Sequence, residues 1–303
     1  MELVVLNIGY DLGVISTEIF TMMVIMALVT TFMTGPAINL IEFFFTRHQK
    51  QKRQTPKEGF NTLLSFGAPQ SGSRLLKLAY YLNLQNEKDS SLTAIHFSPS
   101  ADISLLEAEQ YEKDAFVPIH RAADRLGVSL KKLFRVTDHV EKEILETVNE
   151  NPYDIVLVGS SRDLFKDDKT GGVVKAIIDD TESAVGVLID KKFKKIEKAC
   201  LILNNANDLF LFKYAQRFLQ DAGPKNMTIL DKEGQFTSAS EVAQFPGIQL
   251  KGNFTLAGKS ADENGNLAKK FDLVIVSLKF WETLKRNQDA WLNRMPSVLI
   301  INR

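Results

Sequence analysis

The chain has 303 residues, 37 Lys+Arg against 37 Asp+Glu, 45% hydrophobic residues and a single Cys. This balance excludes an intrinsically disordered chain, a disulfide scaffold, a thiolate zinc site and a basic nucleic-acid binder, while the length admits two ordinary domains. The formal net charge of zero is unevenly built: residues 1–46 hold Glu2, Asp11, Glu18 and Glu42 but no Lys or Arg, and then Arg47, Lys50, Lys52, Arg53 and Lys57 follow without an acid between them.

Leu3 to Ile15 is apolar, too short to cross a bilayer, and interrupted by Asn7, Gly9 and Asp11. It is expected to form the last turns of a preceding membrane helix and an outside loop, so that the chain starts within something larger. Ile19 to Ile41 runs for 23 residues without a charge. At about 1.5 Å per residue it spans the roughly 30 Å hydrocarbon core. It is therefore expected to be a transmembrane helix, kinked at Gly35-Pro36, with the basic cluster placing its end in the cytoplasm. A signal peptide does not fit an acidic start, so long an apolar run and the lack of a small-residue cleavage site. A buried soluble helix is the competing reading.

Beyond the basic linker, Phe60–Phe66 (FNTLLSF) reads as a strand running into Gly67-Ala68-Pro69-Gln70-Ser71-Gly72-Ser73, a turn that opens a helix through Leu75, Leu76, Ala79 and Leu82. Leu92–Phe97 is a second strand. Phe116, Ile119, Ala123 and Leu126 recur at helical spacing and stop at Gly127. Leu133–Val136 is strand-like, and Val140, Ile144, Leu145 and Val148 mark one helix face. Asp154–Val158 (DIVLV) is a buried strand, Lys175–Asp180 is helical, and Ala184–Ile189 (AVGVLI) is another strand. Strands alternating with helices, with continuous apolar strand runs, predict a parallel sheet covered by helices on both faces.

The pattern then recurs. Ala199–Leu203 restarts a strand, Leu209–Leu219 a helix and Met227–Leu230 a strand; DLVIVSLK from Asp272 echoes DIVLVGSS from Asp154, and Ser297–Ile300 stands where Gly186–Ile189 stood. The shorter spacing predicts lost elements in the second copy. Two tandem α/β units are expected, 58–193 and 196–303, divided by the lysine-rich 191–198, which reads as a solvated boundary.

Two resemblances sharpen these expectations. Glu2 to Pro36, with its Glu-Leu, Asn-Ile-Gly, Leu-Gly-Val and Thr-Thr-Phe-Met-Thr-Gly-Pro blocks, resembles the final two membrane segments of the second family of monovalent cation:proton antiporters, sodium or potassium/proton exchangers. The resemblance implies that residues 1–46 end an antiporter membrane domain whose last transmembrane helix is 19–41. The family's ion-binding acids lie on earlier helices, so this chain alone is not expected to transport ions. The order and lengths of the elements in 58–193, and in degenerate form 196–303, resemble universal stress protein domains. The fold class implied is α/β, a tandem of such domains behind a transmembrane helix. The expected setting is the cell (inner) membrane, with 47–303 cytoplasmic as a regulatory tandem, and the expected partners are the membrane, the rest of the antiporter and a homodimer mate, with no nucleic acid.

Nucleotide-binding stress proteins carry an Asp after the first strand and a G-x2-G-x9-G-[ST] loop after the fourth, whose backbone can approach phosphates closely. Here Gly67 stands at the Asp position. Gly159 and Gly172 keep the loop's register, but Arg162 replaces its second glycine and Val173 its Ser/Thr. Gly159, Arg162 and Gly172 are the candidate ligand-loop residues, Arg162 being able to meet an anion bidentately. No cofactor is expected, with ATP or another nucleotide the alternative. A membrane-tethered nucleotide sensor and a soluble interaction protein are the rival readings.

Other signals are weaker. Gly67–Arg74 has phosphate-loop glycine spacing without its lysine or hydroxyl, and Gly159-Ser160-Ser161-Arg162 lacks the second glycine of a nucleophile elbow. His48, His96, His120 and His139 have no paired-ligand spacing, and Asp138-His139 reads as a helix cap. Cys200 reads as a small buried hydrophobe and Trp281 and Trp291 as core or lid packing. No catalytic or metal-binding residues are expected, and the chain is not expected to be an enzyme.

Overall fold

Strands that are apolar on both faces need cover on both sides, and the architecture follows from that need. In the computed structural model the chain divides at the linker into Met1–Pro56 and Lys57–Arg303. The structure describes residues 8, 10–26, 28–30, 32–33, 59–83, 90–98, 108–160, 169–191, 193–219, 223–236, 238–242, 252–257, 270–286 and 295–303.

In the first unit residues 10 and 11 are helical, the chain turns at Gly13 with φ 69°, and helix resumes over 17–26, 28–30 and 32–33. Ser16 caps this helix, accepting from Phe20 N at its carbonyl (2.9 Å) and from Ile19 N at its hydroxyl (3.4 Å). The Thr21 and Thr30 hydroxyls donate to the carbonyls of Thr17 (2.8 Å) and Met26 (3.0 Å), so both are satisfied within the helix. Leu12, Val14, Met22, Met26, Phe32 and Met33 are exposed. Among the described residues no helix is long and apolar enough to cross a membrane. Residues 34–41 of the expected span, with Gly35-Pro36, and the basic cluster lie outside the described residues.

Among the described residues the second unit carries ten strands: β1 (Asn61–Phe66), β2 (Ser91–Ser98), β3 (Lys131–Val136), β4 (Ile155–Ser160), β5 (Ala184–Ile189), β6 (Ala199–Leu203), β7 (Asn226–Asp231), β8 (Asn253–Ala257), β9 (Leu273–Ser277) and β10 (Ser297–Asn302). Between them lie α1 (Pro69–Asn83), α2 (Ala108–Leu126), α3 (Val140–Glu150), α4 (Lys169–Asp180), α5 (Phe212–Ala215), α6 (Ala239–Val242) and α7 (Leu278–Arg286). All ten strands form one sheet in the order β3-β2-β1-β4-β5-β10-β9-β6-β7-β8. Residues on both sides of 191–198 thus belong to one continuous sheet.

Alternation along the strands sorts the core into two layers. Leu64, Phe66, Ile155, Leu157, Leu201 and Ile275 face the layer that includes α1 and α2 residues Leu75, Phe116 and Ile119, whereas Leu63, Ile95, Val156, Val187, Ile202 and Val274 face the layer of Ile144, Ile177 and Phe280 from α3, α4 and α7. Helix ends follow local chemistry. Pro69 stands at the first position of α1, where its missing N–H costs nothing. Gly127, at φ 65°, ends α2 while Val128 N donates to Ala123 O at 3.1 Å.

Several expectations need correction. All pairings are parallel except one: β5 runs antiparallel to β10, with Leu188 opposite Leu299 and Gly186 opposite Ile301. The second half lacks no strand, since β8, unforeseen because NFTLA is short and half polar, completes five strands in each half. Expected as one helix, 209–219 is a 3-10 turn (Ala206–Leu211), α5 and a further 3-10 turn (Gln216–Phe218). A capping box tightens its start: Asn205 Oδ1 accepts from Asn207 N at 2.9 Å, and Asp208 Oδ2 accepts from Asn204 N at 2.8 Å and Asn205 N at 3.3 Å. His139 makes no side-chain cap to α3; Thr137 Oγ1 instead accepts from His139 N at 3.0 Å.

The DIVLV and DLVIV echo has a structural cause. Asp154, just before β4, accepts from Asn61 N with Oδ2 at 2.9 Å and returns its own N–H to Asn61 O. Asp272, just before β9, accepts from Glu197 N and Lys198 N at 2.9 Å each and returns its N–H to Lys198 O. In both halves one carboxylate fixes the start of the central strand. Asp154→Ala is expected to destabilise the fold by about 1–3 kcal/mol in urea unfolding, the cost of orphaning a part-buried N–H bonded to a charged acceptor, and Asp272→Ala by less, because its donors lie at the surface where water can replace the carboxylate.

His96 sits inside β2, buried, with rings of Phe66 (5.0 Å), Phe134 (5.9 Å), Phe116 (6.3 Å) and Tyr111 (6.4 Å) around it. Nδ1 lies 2.8 Å from Phe66 O, which can only accept, so Nδ1 carries the proton. Burial pushes the His96 pKa below its ordinary value, and the bond to Phe66 opposes this in part. The unfolded chain then binds the proton more readily, so stability is fully present above about pH 6.5 and falls as pH drops below it toward the folded value. Melting temperature measured from pH 7 downward is expected to fall less steeply in His96→Gln than in the parent chain.

Candidate ligand crevice at the ends of β1, β2 and β4

The strand order β3-β2-β1-β4-β5 reverses direction between β1 and β4, and open α/β sheets present a crevice beyond the carboxyl ends of their strands at that switch. A cavity of about 380 Å³ lies there. Its floor comes from the ends of β1 (Ser65, Phe66, Gly67), β2 (Phe97, Ser98) and β4 (Val158, Gly159); its walls come from Thr137 and Asp138 after β3, Val140, Glu141 and Ile144 on α3, and Val174 on α4. A larger crevice of about 660 Å³ lies at the opposite ends of β6 and β7. Its lysines 195, 198 and 225 are exposed, and Lys195 pairs with Glu197 at 3.2 Å.

The smaller cavity has an apolar body and a polar rim. Thr137 N donates to Ser98 O at 2.9 Å, tying the chain after β3 to the end of β2. Among the described residues the buried Ser98 hydroxyl has no hydrogen-bond partner. The charged groups lining the cavity, among the described residues, are the acids Asp138 and Glu141. Glu141 and Glu143 occupy the first turn of α3, where acids complement the positive end of the helix dipole. His139 Nδ1 lies 3.8 Å from Glu141 Oε1, and Arg135 Nε 3.9 Å from Glu143 Oε2.

The three expected loop residues are placed differently. Gly159 lines the cavity, yet a Cβ there would lie 3.2 Å from Leu75 Cδ1 and 3.6 Å from Ser71 Cβ, so its missing side chain admits α1 to the sheet. Gly172 lies in the first turn of α4, inside helix. Arg162 lies outside the described residues. Gly67 lines the cavity as well, and a Cβ there would meet nothing within 4 Å. Sequence reasoning missed Ser98, Thr137 and Glu141. Polar residues just past apolar runs, as in AIHFS and FRVTD, are the signal that would have found two of them.

Neighbouring motifs resolve into structure. The glycine-spaced 67–74 stretch becomes helix from Pro69, Gly72 lies where a Cβ would come 3.0 Å from the Phe66 ring, and Arg74 pairs with Asp190. Cys200 is buried and in no disulfide among the described residues, and Trp281 is core; Trp291 and His48 lie outside the described residues. In the second half β9 passes directly into α7, with the Ser277 hydroxyl accepting from Phe280 N at 3.2 Å. No segment stands there to match residues 161–168 between β4 and α4.

No family model matches the chain. It is 60% identical over 37 residues to the Na(+)/H(+) antiporter NhaS4 of Synechocystis sp., and 58% identical over 38 residues to cation/H(+) antiporter 17 of Arabidopsis thaliana. Each match takes in 12% of this chain, and the two take in 9% and 5% of those relatives' own lengths. Among solved structures, a universal stress protein from Archaeoglobus fulgidus is similar with a TM-score of 0.51 at 14% identity, over 80% of this chain and 96% of that one. An overlap of that extent exceeds what either five-stranded half could supply. The mostly parallel α/β sheet therefore has the universal stress protein fold, in a chain that also holds a short stretch similar to cation/H(+) antiporters.

Proposed function

We propose that this chain is the carboxy-terminal part of a monovalent cation:proton antiporter, in which two fused stress-protein-like domains, 58–193 and 196–303, form a cytosolic regulator of exchange. The observation that carries the reading is the joining, in one chain, of the antiporter-like stretch to the universal stress protein fold. The exposed apolar side chains of the first unit support a lipid setting for it, since so many apolar residues in water would be costly, and the five basic residues from Arg47 to Lys57 orient residues 47–303 toward the cytoplasm of the cell (inner) membrane. Its partners are then the membrane and the remaining helices of the antiporter. β5 and β10 occupy each other's edges, so a homodimer would form through another surface.

The regulator acts by differential binding: whatever favours one arrangement of the fused domains biases the exchanger through the linker 46–58. Alone, the chain carries no transport. A second reading, a membrane-tethered nucleotide sensor, draws support from the switch-point crevice, but Gly67, Arg162 and Val173 depart from the nucleotide-binding pattern.

Three measurements test the proposal. The chain expressed alone is expected to stay with membranes through a carbonate wash and, reconstituted in vesicles, to give no proton-coupled sodium or potassium flux; quantitative release by carbonate would overturn it. Removing 58–303 from the whole antiporter is expected to leave exchange in place while shifting its dependence on pH or cation concentration. An unchanged dependence would refute the regulatory role.

A further inference from the structure

Residues 209–219 read as one α-helix in the sequence, yet 206–218 fold as a 3-10 turn, a single α turn (α5) and a second 3-10 turn. We propose that this segment is a winding switch coupling the second half to the strand that receives the linker: wound as it is, it seats Arg217 on Phe60, and rewound as α-helix it withdraws that hold. The proposal rests on the regulatory reading and names the two arrangements of the fused domains which that reading requires.

Local sequence and tertiary context disagree over the winding. From Leu209 to Leu219 there is no Gly, Pro or β-branched residue, and Leu211, Ala215 and Phe218 stand at the i, i+4, i+7 spacing of an α-helical face. The side chains therefore do not impose the 3-10 form. The start does: the capping box of Asn205 and Asp208 ties down the first turn, and Phe212 N then reaches back to Leu209 O and Phe210 O. Gln216 N is shared in the same way between Phe212 O and Tyr214 O. Stretches where local preference is overridden, and helices interrupted by 3-10 turns, are where hinges occur. The two windings differ in length as well as pitch, since a 3-10 helix rises about 2.0 Å per residue and an α-helix about 1.5 Å. Rewinding Ala206–Leu211 alone would shorten the segment by about 3 Å and rotate its far end by about a third of a turn. Arg217 cannot keep its seat through such a change.

The two ends of the segment stand at places suited to a coupling. Its start follows β6, where the strand order β10-β9-β6-β7-β8 reverses, the switch point of the second half. Its end lies on the first half. The Arg217 guanidinium is 3.8 Å over the Phe60 ring, its Nη1 donates to Leu82 O at 3.1 Å, and Phe218 stacks on Tyr81 at 6.3 Å. Phe60 is buried, immediately precedes β1, and donates its N–H to Ser90 Oγ at 3.0 Å. The chain coming from the linker is thus first gripped at Phe60. A planar guanidinium can lie flat on a ring and donate in its own plane at the same time, which a lysine ammonium cannot. The contact between Lys213 Nζ and Asp154 Oδ1, at 4.0 Å and largely exposed, adds little to this hold.

The test is amide hydrogen exchange, read by mass spectrometry on the whole chain in detergent micelles. Arg217→Ala is expected to speed exchange of residues 60–62 about tenfold or more, the loss of a stacked cation and its hydrogen bond, while β6, β7 and β9 stay protected. Asn205→Ala, at the far end of the segment, is the deciding variant. Loss of its cap is expected to speed the same amides about fivefold, and the double variant is expected to exchange no faster than Arg217→Ala. Arg217→Lys, which keeps the charge but not the flat stack, is expected to fall between the parent and Arg217→Ala, and serves if Arg217→Ala loosens the whole sheet. Unchanged exchange of 60–62 in Asn205→Ala, effects of the two variants that multiply, or a loss of protection shared equally by all strands in Asn205→Ala and Arg217→Lys would each overturn the switch. In the whole antiporter, Asn205→Ala and Arg217→Lys are expected to shift the dependence of exchange on pH or cation concentration in the same direction as removal of 58–303. If removal shifts that dependence and neither variant does, the switch is overturned and the regulatory reading stands. If removal shifts nothing while the amides behave as expected, the regulatory reading falls alone.

Discussion

The pairing of β5 with β10 is the interaction on which the rest of the second unit depends. AVGVLI and SVLIIN are apolar on both faces, and each would otherwise be the open edge of a five-stranded sheet. An exposed edge of that kind templates aggregation. Antiparallel pairing of 298–302 with 185–189 closes those edges and buries Leu188 and Leu299, opposite each other, at the centre of the sheet. Among the described residues the outer strands are β3, which carries Lys131, Lys132 and Arg135 and tolerates water, and the short β8.

That junction also explains the symmetry. Each half runs in the same strand order, third, second, first, fourth, fifth, outward-in toward the junction. The element after the first strand of each half covers the same face: α1 in one, the turn-helix-turn segment 206–218 in the other. α4 and α7 likewise share the opposite face. A two-fold relation perpendicular to the sheet accounts for both facts, as at a self-complementary interface. Side chains then lock the halves: the Arg217 guanidinium lies 3.8 Å over the Phe60 ring and donates to Leu82 O at 3.1 Å, and Phe218 stacks on Tyr81 at 6.3 Å. The strand that receives the chain from the linker is therefore held by the second half, a physical route by which one half senses the other.

Within this symmetry the halves differ where ligands would meet them. The first half keeps a cavity at its switch point. In the second half, carboxylates after its first strand and at the end of its second serve the backbone: Asp208 caps the segment after β6, and Asp231 accepts from Gly234 N (3.0 Å) and Phe236 N (2.8 Å). Polar groups already bonded to the main chain have little left for a ligand.

Much of this was legible in residues alone. Apolar runs such as DIVLV and AVGVLI, stopped by turn residues, define central strands, since only burial on both faces suits them. The Asp before the fourth strand of each half was visible as a repeat, because a carboxylate placed there must accept from the neighbouring strand. β8 was hidden, because a short edge strand needs few apolar residues. The helix expected at 209–219 was broken by a cap that no periodicity reports. The antiparallel junction, the gathering of Ser98, Asp138 and Glu141 at one crevice and the role of Gly159 in admitting α1 were decided only in three dimensions. These residues come from different strands and helices, and pattern along a chain records which face is buried, not which distant face it is buried against.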